Sequence, residues 1–195
     1  RYAQDGTCNT TPTVSTGTWT VTVRSAFTSG EISSTGQTIC SGGTPSAIGS
    51  TTAASGGDAS ITYSWRSSAD SYATAIAGAT SATYTPPAGL TATTSYRRYA
   101  QDGTCNTTAT VSTGTWTVTV RSAFTSGEIS STGQTICSGG TPSVIGSTTA
   151  ASGGDGTITY SWRSSSDSYA TAIAGATSAT YTPPAGLTAT TSYRR

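Results

Sequence analysis

A chain of 195 residues with 9% charged residues, a net charge of +1 and no histidine excludes several partner classes at once. Near-neutral charge gives no electrostatic drive toward nucleic acid or an anionic membrane surface, and no run in this window approaches the ~20 apolar residues of a membrane-inserted helix. All nine cations are arginine, and Trp, Tyr, Val and Ile fall at alternating positions, the pattern of a packed β domain rather than of a disordered chain.

Residue 1 matches residue 98, and the match runs on to residue 97 against residue 194. Only Pro12/Ala109, Ala47/Val144, Ala59/Gly156, Ser60/Thr157 and Ala69/Ser166 differ. A unit of 97 residues is too long for a solenoid turn of ~20–50 residues and has the size of an independent domain. The 195 residues therefore read as a window on a longer repeat array. Residues 1–24 are expected to be the C-terminal strands of a preceding repeat, 25–121 one complete repeat, and 122–195 the N-terminal part of a following one.

In chain order, Asp5-Gly6 is a turn signal. Thr18-Trp19-Thr20-Val21-Thr22-Val23 alternates strictly and predicts a half-buried antiparallel strand with Trp19 in a core. Phe27–Ile32 and Gln37–Cys40 are pieces of a first strand, interrupted by Gly30 and Gly36. Ala47–Ala54 is a weaker strand. Ile61–Arg66 is a clear one, with Ile61, Tyr63 and Trp65 on one face. Asp70–Thr80 reads as a short strand and loop, and Ala82–Thr85 as a short strand stopped by Pro86-Pro87, which have no N–H for a ladder. Tyr96 opens a late strand after a loop carrying Leu90, the setting of a tyrosine corner, in which the ring packs inside and the hydroxyl returns to upstream backbone. Alternation puts Tyr96, Arg98 and Ala100 on one face, so Arg98 is either paired where it points inward or displaced by a bulge. Thr115–Arg121 repeats the alternating last strand with Trp116 inward. About seven short strands with Gly/Pro turns predict an all-β fold: tandem immunoglobulin-like β-sandwich domains with a core built on Trp65, Tyr96, Trp116 and Leu90.

Two cysteines per repeat, with no C-x-x-C pair and no histidine, argue for structural disulfides rather than zinc, and for an oxidising, extracellular or cell-surface setting. The expected pair is Cys40–Cys105, with Cys8 and Cys137 pairing outside the window. Cys8–Cys40 together with Cys105–Cys137, joining one repeat to the next, is the alternative.

The series TIC-SGGTPS, ITYSWRSS, AGATSATYTPPAGLTATTSYRR, DGTC and TWTVTV resembles the repeat units of giant cell-surface adhesins of Bacteroidetes bacteria, the SprB-like gliding adhesins and grappling-hook filament repeats. The resemblance spans the whole 97-residue unit. It implies immunoglobulin-like domains in very long secreted fibres.

No catalytic constellation is readable. Asp58, Asp70 and Asp102 sit in turns, where aspartate caps backbone N–H groups, so no enzyme is expected. No cofactor is expected either, although scattered turn acids leave Ca2+ between domains open in the absence of a D-x-D-x-D-G run. The outward row Thr115, Thr117 and Thr119 suits a solvated strand face. Phe27, Tyr72 and Tyr99 are the candidates for exposed contacts. The expected partners are neighbouring identical repeats and parallel copies of the same chain in a homo-oligomeric filament. The expected function is a structural repeat giving a stiff extracellular rod; the alternative is a repeated glycan- or surface-binding module acting by avidity.

Overall fold

The computed structural model describes all residues 1–195. The chain is mostly β, with no α-helix and several small sheets. Its strands are β1 (Tyr2–Ala3), β2 (Thr13–Val14), β3 (Glu31–Ile32), β4 (Gln37–Cys40), β5 (Ser50–Thr52), β6 (Thr62–Ser67), β7 (Thr94–Gln101), β8 (Thr110–Val111), β9 (Trp116–Arg121), β10 (Glu128–Ile129), β11 (Ser147–Thr149), β12 (Arg163–Ser164) and β13 (Tyr193–Arg194). Single 3-10 turns cover Ser68–Asp70 and Ser165–Asp167.

The main sheet has the order β4-β9-β7-β6, with β8 also on β7. β7 is its axis. It runs antiparallel to β6 over six residue pairs, from Thr62 with Gln101 to Ser67 with Tyr96. On its other edge Tyr96 faces Trp116 and Thr94 faces Val118. β9 then carries β4 in parallel register, Gln37 with Val118 through Cys40 with Arg121. β3 pairs with β5 as a separate ribbon.

The period-2 pattern of β7 explains its placement, since the face holding Tyr96, Arg98 and Ala100 is buried and the intervening residues are half-buried. Ile32, Ile48, Trp65, Ala79, Tyr96, Trp116 and Val118 form one cluster, with Ile39, Ile76, Tyr84, Leu90 and Val120 packed against it. Burying side chains of this size contributes about 1.5–3 kcal/mol each. Gly36 is required where β4 meets β9: its φ is +65°, and a Cβ there would lie 2.6 Å from the Thr117 carbonyl oxygen.

Three strand expectations need correction. Asp70–Thr80 contains no strand. The 3-10 turn ends in Ser71 and Tyr72, both at positive φ, and the Asp70 carboxylate holds the following turn by accepting from the Thr74 N–H (2.9 Å) and hydroxyl. Ala82–Thr85 reduces to one bridge between Ile48 and Tyr84, because the prolines that follow stop the ladder. Trp19 is not in a core. It is 92% exposed, as are Val21 at 74% and Val23 at 86%, because no sheet lies against residues 18–24. Residues 1–24 form only the short ribbon of β1 and β2, both exposed.

Candidate functional site

The core residues singled out from the sequence come together. Trp65 is fully buried, Tyr96 and Trp116 nearly so, and Leu90 is half-buried at the edge of the cluster. Trp65 stacks on Tyr84 at 5.5 Å between ring centres, and Tyr84 tilts against Tyr96 at 5.6 Å. The Trp65 Nε1–H donates to the Ser81 carbonyl at 2.9 Å. Tyr96 sits where a tyrosine corner requires its ring, but its hydroxyl makes no hydrogen bond to upstream backbone. Burial, and secondarily Tyr84, push that hydroxyl up to about 12.

Arg98 resolves the choice left by alternation: it points inward and is fully buried. Its Nε donates to Ser112 Oγ (3.0 Å). Nη1 donates to Ser50 Oγ (2.7 Å) and the Ala82 carbonyl (3.0 Å), and Nη2 to the carbonyls of Ser29, Glu31 and Thr52 (3.4, 3.3 and 3.1 Å). The Tyr63 ring lies 4.8 Å from its guanidinium carbon. None of these acceptors is a carboxylate. A buried cation is tolerated because every N–H has an oxygen and the ring face adds a cation–π term. Arg98 thus ties β7 to the β3–β5 ribbon, the β8 edge and the Ala82 loop with one side chain.

The outer face of the sheet carries a second arrangement. Arg97 lies over Tyr72 at 4.2 Å and Arg66 over Tyr99 at 4.6 Å. Arg66 Nη1 also donates to the carbonyls of Tyr72 and Ala73, both at 3.2 Å. Tyr72 holds a φ of +64°, an outlier for a bulky residue that the surrounding bonds must maintain. The face recurs in the second copy, with Arg194 over Tyr169 at 4.2 Å, Tyr169 again at φ +64°, and Arg163 bonding the Tyr169 and Ala170 carbonyls. Tyr72 and Tyr99, expected as bare contacts, are therefore half-buried and capped by guanidinium groups, and Phe27 is half-buried as well. The left-handed turn that places Tyr72 has no sequence signal beyond the Ser-Ala-Asp-Ser run before it.

The cysteines correct an expectation. All four are exposed and unpaired. Cys40 lies in register with Arg121, whereas Cys105 follows the opposite end of β7. About ten residues of strand, roughly 30 Å, separate the two levels, and a disulfide requires Cα atoms within about 7 Å. Neither Cys40–Cys105 nor the alternative set of pairs forms in this structure.

The loop holding Cys105 is organised by aspartate. Asp102, buried, accepts from the N–H groups of Thr104, Cys105 and Asn106 at 3.0, 2.6 and 2.7 Å. Beside it Asp58 accepts from Ser60 N–H (2.8 Å), Gly103 N–H (3.3 Å) and the Thr104 hydroxyl, the last of which chiefly lowers its pKa. Asp5 makes the same three backbone bonds in the exposed first segment, so the turn D-G-T-C-N forms without tertiary support. No group of three or more His, Cys, Asp and Glu side chains gathers in a way that holds a metal ion.

A family model described as a domain of unknown function (DUF8696) matches residues 28–122 and again 125–195. The chain belongs to this family. No curated protein and no solved structure matches the chain. The two family matches follow the 97-residue period, and each contains one Trp-Tyr stack, one inward arginine and one cation–aromatic face.

Proposed function

We propose that this chain is a structural stretch of a long secreted cell-surface adhesin or filament, built from tandem immunoglobulin-like sandwich domains that give a stiff extracellular rod. The observation that carries this reading is the parallel pairing of β4 with β9. Tension along a string of repeats enters a unit on the β4 side and leaves through β9. Parallel strands pulled from opposite ends load their hydrogen bonds together, in shear. The buried Arg98, bonded to four separate segments, resists the same deformation. Near-identity of the two copies fits a role in which length and stiffness matter and each unit contributes alike.

Single-molecule stretching of the chain tests this. Residues 28–121 are expected to yield in one cooperative event that lengthens the chain by roughly 30 nm, the extended length of about 94 residues less the folded span. Extension without a force peak would contradict the reading.

A second reading has its own observation. The Tyr72–Arg97 face, with its strained tyrosine, is repeated at Tyr169–Arg194 and suits a glycan- or surface-binding module that gains from copy number. Binding on a glycan array that disappears in a Tyr72→Ala/Tyr169→Ala chain would favour it over the scaffold.

A further inference from the structure

Adjacent arginines of β7 meet opposite surroundings. Arg98, on the inner face, has an oxygen for every N–H. Arg97, on the outer face, gives only its Nε–H, to the Thr115 hydroxyl at 3.3 Å, and its two Nη groups have no protein acceptor. Directly across the ladder stands Arg66, whose Nη1 holds the Tyr72 and Ala73 carbonyls and whose Nη2 is likewise unbonded. No carboxylate is among the partners of either side chain. Like charges at opposite positions of two strands destabilise a sheet, yet the pair recurs in the second unit, where Arg163 faces Arg194. Tyrosine borders both pairs: Arg97 lies over Tyr72, Arg66 over Tyr99 and Arg194 over Tyr169. Hydroxyls fill the same face of β6 and β7, with Ser64 opposite Tyr99 and Ser95 bonded to Thr117 at 2.8 Å. All residues of the first face lie between Ser64 and Thr117, inside one family match.

We propose that this face binds an acidic polysaccharide, a carboxylate of a uronic-acid unit bridging Arg97 and Arg66 while sugar hydroxyls meet Ser64 and Ser95. The inference rests on the reading of each unit as a glycan-binding module and names the chemistry of its ligand. A planar carboxylate matches the paired N–H groups of guanidinium and removes the repulsion within the bare pair. Tyr72 and Tyr99 hold the two guanidinium planes before any ligand arrives, so little side-chain freedom is lost on binding. The net charge of +1 supplies no long-range attraction, and recognition is therefore local to the arginine pair. A polymer that repeats one acidic unit suits a chain that repeats one face.

Calorimetric titration of the 195-residue chain with sodium polygalacturonate, set against neutral dextran, tests it. Binding is expected with the polyuronate and not with dextran, and it should weaken as salt rises from about 0.05 to about 0.5 M. An Arg97→Gln/Arg194→Gln chain, its fold checked by circular dichroism, is expected to bind at least about tenfold more weakly, the loss of one charge-assisted hydrogen bond. The dextran and salt arms use the wild-type chain and hold even where the substitutions unfold it. No binding of the polyuronate by the wild-type chain, or unchanged affinity in the folded Arg97→Gln/Arg194→Gln chain, would overturn the proposal. Binding of neutral glycans that Tyr72→Ala/Tyr169→Ala removes and Arg97→Gln/Arg194→Gln leaves intact would also overturn it, while the glycan-module reading stood. Binding of no glycan at all would sink both.

Discussion

The two family matches in this chain are nearly the same sequence over spans of different length, residues 28–122 and 125–195. The first includes its β7–β9 region; the second reaches only Arg195, the counterpart of Arg98. The local features survive in both. Trp162 is fully buried, stacks on Tyr181 at 5.4 Å and donates to the Ser178 carbonyl at 2.9 Å, as Trp65 does with Tyr84 and Ser81. Arg195 reaches the Ser147 hydroxyl and the carbonyls of Ala179, Ser126, Glu128 and Thr149, the counterparts of five Arg98 acceptors. The longer-range order does not survive. The six-residue strand Thr62–Ser67 shrinks to Arg163–Ser164, and the strand equivalent to β4 is lost. Hairpin-scale contacts around the tryptophan thus form on their own, and the sheet with its closed core appears where the region from Tyr99 to Arg121 is also present.

The largest break in this comparison should come from one residue type in its two settings. Trp116→Ala empties the core and is expected to destabilise the first unit by about 3–5 kcal/mol, whereas Trp19→Ala, at a 92% exposed side chain, should change the unit's own stability by less than about 0.5 kcal/mol. Denaturant unfolding under dilute conditions compares the two. Next is the inward arginine. Arg98→Met leaves four carbonyls and two hydroxyls without their donor and is expected to cost about 3–5 kcal/mol. Arg195→Met, at a half-exposed side chain lacking the Ser112 partner, should cost at most about 1 kcal/mol.

Alkaline titration gives a smaller effect with a defined sign. The Tyr96 hydroxyl is pushed up to about 12 by burial, with Tyr84 second, against about 10 for an unfolded tyrosine. The folded value is the higher one, so the stabilisation of the neutral hydroxyl is intact below pH ~10 and is lost as pH rises toward 12. The first unit is expected to weaken across that window by up to about 1.4 kcal/mol per pH unit, and Tyr96→Phe should flatten the slope. The smallest effect concerns the thiols. All four cysteines are exposed and unpaired, so Cys40→Ser or Cys105→Ser should shift stability by no more than about 0.5 kcal/mol, and four thiols should react in the native chain.

Much of the fold was legible because it is written locally. Alternation around Tyr63–Trp65, Tyr96–Ala100 and Trp116–Val120 located the three strands that matter, but left Arg98 between an inward side chain and a bulge, a choice that only its burial decides. What escaped reading was non-local. That β4 pairs with β9, and in parallel, is set by contacts between residues about 80 positions apart, which no window of sequence reports. Trp19 was placed in a core because its own strand pattern is indistinguishable from that of Trp116; only the presence of a sheet to receive it separates the two. Cysteine count spoke to redox chemistry but not to the ends of the unit on which Cys40 and Cys105 lie. The Tyr72 turn was missed because a tyrosine at positive φ goes against local preference and is held there by Arg66 and Arg97.

Hydrogen exchange on the dilute chain tests the central claim within one molecule. Ala69 and Ser166 give the two Trp-containing peptides different masses. The account predicts that amides of Thr62–Ser67 exchange about 100- to 1000-fold more slowly than those of Thr159–Ser164, the factor expected from losing one buried Trp and its strand. Equal protection in the two units would contradict it, because the contacts around the tryptophan would then protect the strand without the region from Tyr99 to Arg121.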